Sequence, residues 1–462
     1  MIRLRALAPL AALLLPFAAT AQNGTTSPTL ENLFAYESLG DAQLSPDGTG
    51  LLYALTSRDL EENESDTDIW FAWTVGGDPV RLTTNDRNDN RPRWRPDGDR
   101  FAFVSTRGTG ENARPALYLM SPTGGEPELL YRHATPIGAF EWSSDGRFIA
   151  FTAREDETQA EKDADEAGRD VQIEDSPGTH THLWVLDVAE KKARRLTGKD
   201  STSAAAFTVQ NFAWSPDGTQ ITFASSPSTN PAISWQSDLQ RIAVADTAAT
   251  PVRLTTNPGP DTSPVYSEDG EWIYYQGFET DAYRVGQSRL FRMPADGGSP
   301  QDITPGDLDP GDIVPNEDGV WFTAVTGTTA GVFFMPHDGG TFTRITPENG
   351  VYGNVAFSDD GSVMAYTFEA PTEPAELYVA DVSAGAAPGM GDARQLTRHN
   401  TEMKQYAVGR TEVLRWRSTD GREIEGVVVY PKDYQAGKQV PLVVKIHGGP
   451  SGVYLQNFQA SS

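Results

Sequence analysis

The sequence contains no cysteine. That excludes disulfides, thiol catalysis and cysteine-based zinc sites together. Positive charge is also scarce: 37 Lys and Arg stand against 64 Asp and Glu, a formal net charge of −27. So acidic a surface repels phosphates and disfavours a nucleic-acid role. Among six histidines, only His180 and His182 have ligand spacing, in Thr179-His180-Thr181-His182. Alternate residues of a strand could hold a metal this way, but a position bordering a surface loop explains the pair, and no metal site is assigned. No apolar run reaches bilayer-spanning length. The longest, Ala6 to Phe17, is interrupted by Pro9 and Pro16, preceded by Arg3 and Arg5 and followed by Ala19-Thr20-Ala21. It reads as a signal peptide, residues 1–21, cleaved after Ala21. With no cysteine at the cut to carry lipid, a soluble periplasmic or secreted protein is expected.

What is present is turn-forming and strand-forming sequence. The chain has 462 residues, 38% hydrophobic and 10% aromatic, with 43 glycines and 32 prolines scattered singly. That is enough for several packed cores joined by many short turns. One motif recurs seven times, with Asp-Gly pairs at Asp47, Asp97, Asp145, Asp217, Asp269, Asp318 and Asp360. The intervals are 50, 48, 72, 52, 49 and 42 residues. Aspartate bonds its own backbone and glycine supplies the left-handed residue that a hairpin turn needs. Strand-like runs follow each motif, such as Phe101-Ala102-Phe103-Val104 and then Leu117-Tyr118-Leu119. Short closing strands end the unit, as at Arg81-Leu82-Thr83 and Arg253-Leu254-Thr255. Four antiparallel strands in a unit repeated seven times predict a mainly β, seven-bladed β-propeller over residues 41–398. Turn chemistry, not catalysis, accounts for the seven aspartates.

The blades resemble the WD-like repeats of the Tol-system periplasmic propeller and of prolyl oligopeptidase-family enzymes. The 72-residue interval marks an insertion, 154–178, with ten acidic residues. It reads as a solvated loop. A sharper reading has it reach toward a partner domain, where Glu155 and Glu157 would attract a peptide's amino end, although nothing in the sequence selects those two.

The pattern changes after Thr397. A polar connector, 399–410, leads to an alternating strand at Thr411–Arg417, a turn at Asp420-Gly421 and a second strand from Glu423 to Tyr430. Pro441-Leu442-Val443-Val444-Lys445-Ile446 then reads as a buried central strand, delivering His447-Gly448-Gly449-Pro450-Ser451-Gly452. This order resembles the start of the hydrolase domain in the prolyl oligopeptidase family, in its acylaminoacyl-peptidase and dipeptidyl-peptidase branch. The lead-in, 22–40, with Leu30-Glu31-Asn32-Leu33, resembles that branch too.

The resemblance implies an α/β-hydrolase domain over 411–462 and acyl transfer to a serine. It places an oxyanion-hole amide at Gly449, with His447, Gly448 and Pro450 shaping the loop. No Gly-x-Ser-x-Gly elbow occurs in the 462 residues. The triad is therefore expected beyond residue 462, the hydrolase domain is expected to be truncated, and the chain as given is expected to be inactive. The apolar residues of the 441–446 run are expected to lack partners. The family implies short peptide substrates and no cofactor. Two alternatives are a non-enzymatic periplasmic propeller that binds a protein or peptide partner, and a catalytically dead remnant that only binds peptides. Oligomeric state and the choice between dipeptidyl and acylaminoacyl substrates are not encoded in any motif.

Overall fold

The computed structural model describes residues 26–458, except 109–113, 157–158, 160–161, 164–166, 169–178, 199–206, 230–235, 247–248, 279–286, 307, 407 and 449–451. The signal segment 1–21 with its cleavage point, Glu157, Gly449 and Pro450 lie outside the described residues.

The protein is mainly β. The first sheet shows the plan: Ser38–Leu44, Gly50–Asp59, Glu64–Trp73 and Val80–Arg81 pair in chain order, all antiparallel. The same plan repeats from Asp89–Trp94, Ile137–Trp142, Thr208–Trp214 and Asp261–Tyr266. Two further sets, starting at Asp309–Asn316 and Val351–Phe357, are joined into one nine-stranded sheet by a single parallel pairing, Ala330 with Val351. These are sheets of the kind that form propeller blades, numbered here 1 to 7 in chain order. The last closes with Arg394–Gln395.

Each Asp-Gly turn expected from the sequence joins the first two strands of a set, and in five of the seven a serine organises it. Ser215 Oγ donates to Asp217 Oδ1 (2.6 Å) and accepts the Gln220 N–H (3.0 Å), while Gly218 sits at φ +68°. The same pair of bonds forms at Ser45, Ser143, Ser267 and Ser358. The serine hydroxyl, more than any other contact, holds each partner aspartate below its ordinary pKa. In each of these aspartates Oδ1 is therefore taken up by the turn.

A threonine after the short fourth strand does a matching job at the far edge. Thr83, Thr197, Thr255, Thr304, Thr346 and Thr397 each accept a third-strand N–H at 2.9–3.0 Å. This satisfies backbone that a strand of two to four residues does not reach.

Except between blades 6 and 7, first strands of neighbouring sheets adjoin one another, so they lie on the inner side of the stack. In every set the register slips once between the first and second strands. Such a bulge re-aims side chains. In blades 1, 2, 5 and 7 it places Asp41, Arg91, Ser263 and Asn354 at φ +45° to +55°.

Seven buried clusters fill the spaces between neighbouring sheets. Leu52 and Phe71 of blade 1 meet Phe101 and Tyr118 of blade 2, and the pattern continues through blades 3, 4, 5, 6 and 7. The seventh cluster returns to the start: Ala365, Leu377, Val379 and Leu396 pack on Leu44, Leu51 and Tyr53.

Two outcomes are expected. Ser215→Ala should lower stability by about 1–2 kcal/mol, because it strands a turn N–H and a carboxylate together; urea unfolding measures it. Asp261 is fully buried, with the Asn257 amide 3.1 Å away, and burial pushes its carboxyl up to about 7. Burial likewise pushes Asp68 up to about 6 against the pull of Arg81. The folded state thus keeps protons that the unfolded chain releases near pH 4. Their contribution is complete below that pH and is lost as pH rises through 6 to 7. Melting temperature should fall over that window, and Asp261→Asn should flatten the upper part of the decline.

Candidate functional site

The hairpins between second and third strands all emerge on one face, opposite the Asp-Gly turns. They differ in length. Blade 6 turns between Thr326 and Thr329, whereas blade 3 runs from Arg154 to Thr181, the acidic insertion. The C-terminal segment reaches the ring where the turns are short.

That segment begins with the expected hairpin, Thr411–Arg417 paired to Glu423–Val429, carrying an Arg415–Glu425 ion pair at 2.6 Å. Gly327, at φ +55°, lies against the Glu425 carboxylate so closely that a Cβ there would clash. No strand forms at 441–446, which corrects the expected central strand. No described strand pairs with this run, so its backbone has no ladder to join. Leu442, Val443, Val444 and Ile446 are 80%, 88%, 70% and 83% exposed, the unpartnered state anticipated for these side chains.

His447 and Gly448 are exposed. The Gly452 N–H donates to the Gly448 carbonyl (3.1 Å), and the His447 ring lies edge-on to Tyr454. Beyond Gly452 the chain returns to the sheets. The Gln456 N–H donates to the Thr328 carbonyl (2.8 Å), its side chain to Thr328 Oγ1 (3.0 Å), and the Phe458 N–H to Glu369 Oε2 (3.0 Å). Phe458 is fully buried beside Met403, Leu33 and Tyr36. Burial raises the Glu369 pKa and the Phe458 N–H partly offsets it. The anchor was not legible in the sequence, because Glu369 and Phe458 are 89 residues apart and share no motif.

The acidic insertion contributes one well-placed carboxylate, already occupied. Glu155 Oε1 meets His182 Nε2 at 2.8 Å and Arg195 at 3.9 Å. Burial acts to raise its pKa, but the bonds to His182 and the His180 N–H outweigh it and the net shift is downward. His180 and His182 border the insertion, as expected, at the start of Thr181–Asp187; His182 is buried there, and burial lowers its pKa. Among the described residues no three metal-ligating side chains converge.

Charges also line the centre of the ring. Arg93 donates to Glu141 of the next blade (3.0 Å) and lies 3.9 Å from Asp41 of the previous one. Arg91 donates to the Gly138 carbonyl (2.8 Å). These contacts tie adjacent first strands together, and the sequence signalled them only as polar residues interrupting strands.

Known proteins share this fold. A family model described as the dipeptidyl peptidase IV N-terminal region matches residues 176–375. Dipeptidyl-peptidase 5 of Porphyromonas endodontalis is 25% identical over 470 residues, covering 96% of this chain and 65% of that protein. Acylaminoacyl peptidase of Pyrococcus horikoshii superposes with a TM-score of 0.69 at 20% identity, over 92% of this chain and 62% of its own. The β-propeller domain of the Trilobed protease from Pyrococcus furiosus, described as having an open velcro topology, gives 0.55 at 18% identity, over 79% of this chain and 99% of its own. The chain therefore spans less than two thirds of the length of the first two.

Phe458→Ala should release the segment from the ring. Emptying a buried phenylalanine site costs about 3–5 kcal/mol, and limited proteolysis should cut between 430 and 458 faster in the variant while sparing the sheets.

Proposed function

We propose, on the premise that this chain carries the propeller domain of the prolyl oligopeptidase-family peptidases, that it is the propeller-bearing part of an exported serine peptidase acting on short peptides. The reading holds a closed seven-bladed ring followed by the first strands of an α/β-hydrolase domain. One observation supports it above the rest: the repeated four-stranded sheets are followed by the hairpin Thr411–Arg417/Glu423–Val429 and His447-Gly448, and the chain then returns to the sheets through Gln456 and Phe458. The names of the relatives, dipeptidyl-peptidase and acylaminoacyl peptidase, support peptide substrates.

In this reading the backbone amide of Gly449 stabilises the oxyanion that forms when a serine attacks a peptide carbonyl, with His447, Gly448 and Pro450 shaping its loop. Glycine suits the position because no Cβ obstructs the approaching substrate. One such donor contributes about 2.7–4 kcal/mol to the transition state. The serine itself is not among these residues, since no Gly-x-Ser-x-Gly occurs in the sequence. Export is proposed from Arg3, Arg5, the apolar run to Phe17 and Ala19-Thr20-Ala21.

A fluorophosphonate that reacts with activated serines tests the proposal. Applied to the product of the native gene, it should label a serine outside residues 1–462, and the labelled protein should release dipeptides or acylated residues from short peptides but leave folded proteins intact. The 462-residue chain alone should show neither labelling nor hydrolysis. Hydrolysis by that chain, or a native product that never labels, would overturn the reading.

A further inference from the structure

The opposite face of the ring, where the Asp-Gly turns lie, carries a groove of about 300 Å³ between blades 1 and 2. Phe71, Trp73 and Trp94 supply aromatic surface, and Asp47, Asp97 and Asp99 supply carboxylates. Alternation along Glu64–Trp73 puts Phe71 and Trp73 on the same side of their strand. Their rings meet edge to face at 4.8 Å. Phe71 is buried, but Trp73 remains 50% exposed, unusual for so large an aromatic side chain.

Gly50 makes the arrangement possible. The residue five places after the turn serine is Gly50 in blade 1, but Phe148, Gln220, Trp272 and Val363 in blades 3, 4, 5 and 7. A Cβ at position 50 would sit 2.6 Å from the Phe71 ring. The bare backbone lets Phe71 lie over the turn and support Trp73 from behind.

Charge selects the occupant. Hydrogen bonds from Ser45 and the Thr49 N–H hold Asp47 ionised. Arg95 takes one oxygen of Asp97 at 3.1 Å. No described arginine or lysine forms an ion pair with Asp47 or Asp99. Carboxylates around an exposed indole make a site where a cation gains both Coulomb attraction and the quadrupole of the ring.

We propose that this groove binds a basic side chain, arginine or lysine, presented by a protein partner, with its cationic group over Trp73 and its charge met by Asp47 and Asp99. The site lies on the face away from the C-terminal segment and is independent of the peptidase reading.

The 462-residue chain, labelled with ¹⁵N at its indoles, tests this with acetyl-Gly-Arg-Arg-Gly-amide as probe and Trp73→Phe to assign the signal. The peptide should shift the Trp73 indole saturably at low salt, and the citrulline analogue, equal in shape but neutral, should not. Trp73→Ala should weaken binding measured by calorimetry about fivefold. Asp99→Asn, an exposed change that leaves both aromatic rings in place, should weaken it about threefold and reduce its salt dependence. Equal binding of the citrulline peptide, unchanged affinity in both variants, or no saturable shift would overturn the proposal.

Discussion

A small sheet with apolar side chains on both faces is tolerable in water only if something covers each face. That requirement governs this molecule. Phe101 and Phe103 in blade 2, or Phe151 and Ile149 in blade 3, cannot be buried by their own four strands. Each sheet is covered by its two neighbours, and a linear stack would leave two end faces wet. Curving the stack until Leu377 and Val379 of the last sheet cover Leu51 and Tyr53 of the first removes both ends. Among the described residues no strand crosses that seam: the first sheet takes its strands from 38–81 and the last set from 351–395. Polar contacts do cross it. Asn400 exchanges hydrogen bonds with the Glu37 backbone at 2.9 Å, and the Asp359 N–H donates to the Pro46 carbonyl at 3.2 Å. Tyr53 meets His399 at 2.8 Å, the Ala375 N–H donates to the Tyr36 hydroxyl at 3.0 Å, and Arg394 donates to the Thr74 carbonyl. At about 0.5–1.5 kcal/mol each, they act together with a cluster of ten buried side chains, the larger of which contribute roughly 1.5–3 kcal/mol apiece. Packing and hydrogen bonds both close the ring, and the hydrogen bonds set its register.

How much of this could be read from the chain depended on whether the signal was local. The Asp-Gly turns were legible because one short stretch, such as Ser215 to Gln220, contains every group that the turn needs. The two central strands of each set were legible as apolar runs. Harder were the bulges, where Arg91 and Asn354 take left-handed backbone although their side chains give no hint of it. The closing Leu-Thr pairs were visible as a pattern, but the job of the threonine hydroxyl emerged only when the third-strand N–H was seen opposite it. Glu376 was hidden altogether. It is buried, accepts the Thr397 hydroxyl and the N–H groups of His399 and Asn400, and so fixes the exit of the chain from the last sheet. Burial raises its pKa, and only the fold reveals the three donors that make a carboxylate tolerable there.

The C-terminal segment shows the same division. Its hairpin was legible from alternation, and the apolar run at 441–446 was legible as hydrophobic. Whether that run becomes a strand depends on a neighbour to share its ladder, and periodicity carries no record of neighbours. Beyond Gly452 the chain returns to the sheets and reaches the socket that Leu33, Tyr36 and Met403 build for Phe458.

Because every sheet is made of consecutive strands, the order in which the sheets are strung together is separable from the ring they form. Ser38 begins the first sheet and Gln395 ends the last, and these sheets are next to each other in space. A chain joined there by a short linker and opened instead at another inter-sheet loop would contain the same seven interfaces. Circular permutation therefore changes the sequence distance that folding must bridge at each seam, but not the packing that rewards it. The architecture leaves evolution free to choose where such a chain starts and which appendage it carries.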